Sequence, residues 1–229
     1  MPESSAISTR TKVLIAIGVI AAAIFISGRM IDIFWLKMVT KPIPVLMMAL
    51  YLFLLPHKNR FNWLIIVGLL FGATGDILLE YSSHTFLFGL IAFLLGHIFY
   101  IIAFVSDCRR PALGVAVFVY LYGLAVYSVL QAGHLENMAL PVMVYLLVIT
   151  TMGWRAAARY QAPGVNHASA RAGVIGAALF LFSDTLLAIS LFVAPFPLSG
   201  VIVIITYWLG QLGITAAAAY TLGSSSAQA

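Results

Sequence analysis

Charge is what this sequence has least of. Charged residues make up only 8% of its 229 residues, against about 25% in an ordinary soluble domain. So few charges cannot cover a folded surface that faces water, so lipid must be the main solvent. The chain is also 63% hydrophobic, which excludes disorder, because disordered chains are poor in apolar residues. Cys108 is the only cysteine, so no intrachain disulfide and no cysteine-based metal site can form. It sits in Asp107-Cys108-Arg109-Arg110, where a cytoplasmic loop is expected, and reads as an unreactive thiol rather than a nucleophile. The net charge is +5, yet no segment gathers Lys and Arg into a basic stripe, which excludes nucleic acid as a partner. The gaps between apolar runs are short, so there is no room for a second domain, and no strong internal repeat is visible.

What is present is a series of apolar runs of membrane-spanning length. A helix needs about 20 such residues to cross a bilayer. Eight runs qualify, at roughly 12–28, 39–55, 62–80, 85–105, 111–131, 138–156, 172–193 and 199–221. They are apolar on all sides, unlike the alternating strands of a membrane barrel, and helices satisfy their own backbone groups in lipid. The expected fold class is therefore all-α, a polytopic transmembrane helical bundle forming a single transmembrane domain over residues 1–229. Segment 29–41 is the least regular and has room for a short interfacial helix before the second span. Gly68-x-x-x-Gly72, Gly173, Gly176, Ala177 and Ala178 are read as helix-packing positions, where small residues let helices approach closely.

Loop charge sets the expected orientation. With the N-terminus inside, Arg10, Lys12, Lys58, Arg60, Arg109, Arg110, Arg155, Arg159 and Arg171 are cytoplasmic, nine of the twelve cations. Arg29, Lys37 and Lys41 fall at the outer boundary. This bias predicts both termini in the cytoplasm and a multi-pass protein of the inner (plasma) membrane. Arg10 and Lys12 followed by Val13–Ser27 resemble a signal peptide, but no clear Ala-x-Ala cleavage site follows, so the run is read as the first span. Residues 1–9 and 223–229 are small and polar and read as disordered tails.

Charges inside spans cost about 2.5–3.5 kcal/mol each on insertion scales, so the few present are functional candidates. Asp76 lies near the outer end of the third span, His97 near the middle of the fourth, Asp184 in the middle of the seventh, and Lys41 at the start of the second. At about 1.5 Å per residue, Asp76 is roughly 6 Å from the outer end of its helix, Asp184 roughly 14 Å and His97 roughly 18 Å. The four can meet in the outer half of the bundle. Tyr207 and Gln211, one turn apart in the eighth span, share a face at similar depth. Each has a plainer reading: Asp76 paired with Lys41 as a structural ion pair, His97 as a packing residue, Asp184 with Ser183 capping a broken helix, Lys41 reaching to head groups. Glu80, His57, His84, His134 and His167 lie at helix ends or in loops and read as solvated.

Two carboxylates and a histidine leave three chemistries open. General acid–base catalysis needs one protonated and one ionised carboxyl; an apolar setting favours the first and a nearby cation the second. On that basis Asp184, deeper, suits the acid and Asp76, nearer Lys41, suits the base. His97, Asp76 and Asp184 also supply three potential metal ligands, although the HExxH spacing is absent. An ion or proton pathway in a transporter is the third. No Gly-x-Ser-x-Gly elbow supports nucleophilic catalysis.

These residues fall in an ordered set of motifs: Lys41-Pro42; Gly75-Asp76-x-x-Leu79; Phe88-Gly89 with Phe93-Leu-x-Gly96-His97-x-x-Tyr100; Pro141-Val142-x-x-Tyr145; Gly176-Ala-x-Leu-Phe180-x-x-Ser183-Asp184-x-x-Leu187-Ala188; and Tyr207-Trp208-x-x-Gln211-Leu212. In this order they resemble the YhhN membrane proteins, which include lysoplasmalogenases; Trp208 stands where a second tyrosine is expected. The resemblance implies an eight-span fold that hydrolyses the vinyl ether of a lysoplasmalogen to a fatty aldehyde and a glycerophospho-base. It implies no cofactor and no metal, and a lysolipid substrate reaching the site from the bilayer. Vinyl ether hydrolysis needs an acid, a base and a negative site near the oxocarbenium ion, as glycoside hydrolysis does. Asp184, Asp76 and His97 are then the expected catalytic residues. Lys41, Tyr100, Ser183, Tyr207 and Gln211 are the expected substrate-binding residues, with Lys41 at the phosphate.

Overall fold

The computed structural model describes residues 8–133, 135–160 and 162–225. Of the tails expected at 1–9 and 223–229, residues 1–7 and 226–229 lie outside them, as does His134, whereas Thr9 and residues 223–225 belong to the first and last helices rather than to disordered tails. Eight helical segments are long and apolar enough to span a membrane, and the described residues contain no strand. The helices are α1 (Thr9–Met30), α2 (Phe34–Thr40), α3 (Ile43–Leu54), α4 (Arg60–Tyr81), α5 (Phe86–Asp107), α6 (Leu113–Gln131), α7 (Ala139–Ala158), α8 (His167–Phe192) and α9 (Ser199–Ser225).

The second span is built from two pieces, α2 and α3, over Phe34–Leu54. Pro42 and Pro44 lack the N–H groups that a continuous helix would use, so the ladder is interrupted at Lys41-Pro42. The short helix expected within 29–41 is α2. Two spans begin five residues earlier than their apolar runs, the second at Phe34 rather than 39 and α8 at His167 rather than 172. Asn166 caps α8, its side chain accepting from the N–H groups of Ala168 at 2.9 Å and Ser169 at 3.1 Å, and the first turn is too polar to register as a span. α8 is continuous to Phe192, so Ser183 and Asp184 do not cap a break. At the start of α4, Asn59 and Asn62 form a reciprocal capping box at 3.0 Å in each direction.

The closest pairs are α8 on α9 and α4 on α5. Between α8 and α9 the backbones touch: a Cβ on Gly176 would lie 2.6 Å from the Ile214 nitrogen and 2.7 Å from the Gly210 oxygen, and one on Gly213 would lie 2.6 Å from the Gly176 Cα. The core between the helices includes Phe25, Leu69, Phe104, Ile149, Phe180 and Ile214. Outward faces are apolar too, with Phe118, Leu121 and Leu124 of α6 exposed, as lipid contact requires.

Candidate active site

A cavity of about 240 Å³ opens among α1, α4, α5, α7, α8 and α9. Its wall is divided. The α1–α4 side supplies Arg29, Lys41 and Glu80; α5 and α8 supply Phe86, Leu90, Leu187 and Leu191; Asp76, Asp184, Tyr145, Ser183 and Tyr207 complete it. Two carboxylates on helices far apart in sequence therefore face one space.

Each carboxylate holds a tyrosine. Tyr207 Oη donates to Asp76 Oδ2 at 2.9 Å, and Tyr145 Oη donates to Asp184 Oδ2. Behind Tyr207 the chain continues: Gln211 Nε2 donates to Tyr207 Oη at 3.3 Å, and Tyr100 Oη donates to Gln211 Oε1 at 2.7 Å. All four of Asp76, Tyr100, Tyr207 and Gln211 are buried. Glycines on α4 make room for this row. A Cβ on Gly72 would lie 2.8 Å from Gln211 Nε2 and 3.3 Å from Tyr207 Oη, and one on Gly68 would overlap the Tyr100 ring.

The sequence-derived candidates divide accordingly. Lys41, Asp76, Ser183, Asp184 and Tyr207 line the cavity. Tyr100 and Gln211 stand behind it and reach Asp76 only through Tyr207. Ser183 donates to the Val203 carbonyl at 2.8 Å, fastening α8 to α9. His97 is buried beside the site, its ring centroid 4.7 Å from that of Phe180 and 5.4 Å from that of Tyr145. Neither ring nitrogen has a hydrogen-bond partner. Among the described residues no three His, Cys, Asp or Glu side chains are grouped as a metal ion would require, so the potential ligand set His97, Asp76 and Asp184 does not assemble.

Two expectations change at the cavity mouth. Lys41 is ion-paired with Glu80 at 3.2 Å, not with Asp76. Glu80, read from sequence as solvated, has only 11% of its side chain exposed because it lies between Lys41 and Lys37, the latter at 3.7 Å. Lys37 also bonds Asp32 at 2.7 Å, which holds the exposed Asp32 carboxyl below the usual carboxylate range. His57, His84 and His167 are exposed as expected. Sequence reasoning passed over Tyr145 as a site residue, although it lies in a quoted motif, because a tyrosine in an apolar run carries no signal until its hydroxyl is seen on Asp184. Arg29 was read only as a boundary charge.

Comparison with known proteins places this geometry in context. The family model described as the YhhN family matches residues 36–218. The chain is 32% identical over 185 residues to lysoplasmalogenase TMEM86B of Rattus norvegicus, covering 80% of this chain and 73% of that protein. It is 32% identical over 186 residues to lysoplasmalogenase TMEM86A of Homo sapiens, covering 78% and 76%. No solved structure matches.

Proposed function

The chain belongs to the YhhN family, and from that premise we propose that it is a lysoplasmalogenase, hydrolysing the vinyl ether of a lysolipid inside the membrane. The observation that carries the reading is the pair of carboxylates, Asp76 and Asp184, facing one cavity with a tyrosine hydroxyl on each. The protein acts as one transmembrane domain of the inner membrane, with both termini in the cytoplasm. The substrate reaches the cavity from the bilayer, with its tail along α5 and α8 and its head group toward α1–α4.

Asp184 donates its proton to the outer carbon of the vinyl group, and the C=C electron pair forms the new C–H bond. The ether-bearing carbon becomes an oxocarbenium ion, and the negative charge on Asp76 stabilises it. Asp76 takes a proton from water as the water oxygen bonds to that carbon, giving a hemiacetal. The hemiacetal hydroxyl then returns its proton to Asp184, its oxygen forms the aldehyde C=O, and the C–O bond to glycerol breaks. The glycerol oxygen leaves with the proton held by Asp76. One water is consumed and both carboxyls return to their starting states. Asp76 takes the base role as the carboxylate on the wall that carries Arg29 and Lys41. Tyr207 and Tyr145 hold the two carboxylates in register, Gln211 and Tyr100 support Tyr207, and His97 supports Tyr145 by packing.

The test is aldehyde release from lysoplasmalogen by detergent-purified protein, with and without chelator. Release is expected in both conditions. Asp76→Asn and Asp184→Asn are each expected to lower turnover by roughly 10²–10⁴-fold with helical content unchanged. Release from both variants at the wild-type rate, or release abolished by chelator, removes this mechanism.

A further inference from the structure

The direct ion pairs at the cavity mouth leave one cation out. Arg29 at the end of α1, Lys37 in α2 and Lys41 between α2 and α3 face two carboxylates, Asp32 and Glu80. The lysines use both: Lys37 contacts Asp32 at 2.7 Å and Glu80 at 3.7 Å, and Lys41 contacts Glu80 at 3.2 Å. Arg29 is left over. Among the described residues no carboxylate lies within 4.0 Å of its guanidinium, yet it lines the cavity with Asp76 and Asp184. Its exposed side chain lies over Gly200 of α9, where a Cβ would overlap the guanidinium. α1 lies outside the region matched by the family model, residues 36–218.

We infer that Arg29, rather than Lys41, is the residue that binds the phosphate of the lysolipid head group and thereby sets the preference for a phosphorylated substrate. This rests on the hydrolase reading for the reaction, though not for the binding. Guanidinium is always charged, and its planar fork matches two phosphate oxygens at once. Lys41 is already neutralised by Glu80, so a phosphate binding there must compete with a carboxylate. In a lysolipid only the three glycerol carbons separate the ether oxygen from the phosphate ester oxygen. A vinyl ether lying at the two aspartates therefore keeps its phosphate close to them, and Arg29 lines the same cavity.

The test separates binding from turnover. Binding is measured with a saturated 1-alkyl lysophospholipid, which has the phosphate but no vinyl bond to hydrolyse. Arg29→Gln is expected to weaken it by roughly 10–100-fold, the value of a charge-assisted hydrogen bond. Arg29→Lys restores part of the loss, and Gly200→Ala, which displaces the guanidinium, reproduces it. In turnover, the kcat/KM preference for lysoplasmalogen over its dephosphorylated 1-alkenylglycerol falls by the same factor in Arg29→Gln. Equal binding by wild type and Arg29→Gln, or an unchanged substrate preference, overturns the assignment. So does inorganic phosphate that competes as well as the lysolipid, because the site then takes free phosphate rather than a head group. Arg29-dependent binding with no aldehyde release by wild type overturns the hydrolase reading and leaves the phosphate site standing.

Discussion

At the scale of single residues, the tyrosines are the finding that most changes the picture of the chemistry. Tyr145 and Tyr207 each aim a hydroxyl at one carboxylate, so one oxygen of each aspartate is restrained. Hydrogen bonds to charged groups contribute about 1.5–3 kcal/mol. Tyr145→Phe and Tyr207→Phe are therefore expected to lower kcat by roughly 10–100-fold while the melting temperature changes little, read by aldehyde release and thermal unfolding in detergent. The aspartates were legible in the sequence because a carboxylate in an apolar run is an outlier against its surroundings. Glu80 was not, because a charge at a helix end looks solvated whether or not a neighbouring helix covers it. Only the packing of α2 against α4 separates the two cases.

At the scale of helices, hydropathy located all eight spans to within a few residues, since lipid selects length and apolarity directly. It could not locate what the helices do to one another. Gly176, Gly210 and Gly213 bring the α8 and α9 backbones into contact, and nothing in a hydropathy profile distinguishes them from Gly114, which has no atom within 4 Å of where a Cβ would be. The two sites give opposite expectations. Gly176→Ala must push α9 away and is expected to cost about 1–3 kcal/mol, with a fall in activity because Tyr207 and Gln211 ride on α9. Gly114→Ala is expected to be neutral or stabilising by up to about 1 kcal/mol. Thermal unfolding of the two variants beside wild type checks both.

At the scale of the whole molecule, the end away from the cavity is fastened by one arginine. Arg159 is fully buried; its Nε contacts Asp107 of α5 at 2.7 Å and its Nη2 donates to Ser169 of α8 at 2.7 Å. Ser169 in turn donates to the Ala217 carbonyl of α9 at 2.7 Å, and the guanidinium lies 4.7 Å from the Phe61 ring of α4. Arg155, also buried, donates to the Arg110 carbonyl at 2.8 Å. Two of the nine cations read as loop anchors are thus interior packing groups, and sequence counting cannot tell the two uses apart. Removing one partner of a buried ion pair costs about 3–5 kcal/mol. Arg159→Met is expected to lower the melting temperature sharply and leave the KM of the folded fraction unchanged, measured on protein kept below its new transition.

The divided wall of the cavity also governs what happens after the bond breaks. A lysolipid stays at the membrane because one molecule carries both a tail and a head group. Cutting between them on a surface that is apolar along α5 and α8 and cationic along α1–α4 yields one product that dissolves in the bilayer and one that dissolves in water. Each is diluted at once into a different phase. Reversal requires both products to meet again in one small space, so release of each toward its own phase slows re-addition, while the equilibrium itself is that of the hydrolysis and is not set by the protein.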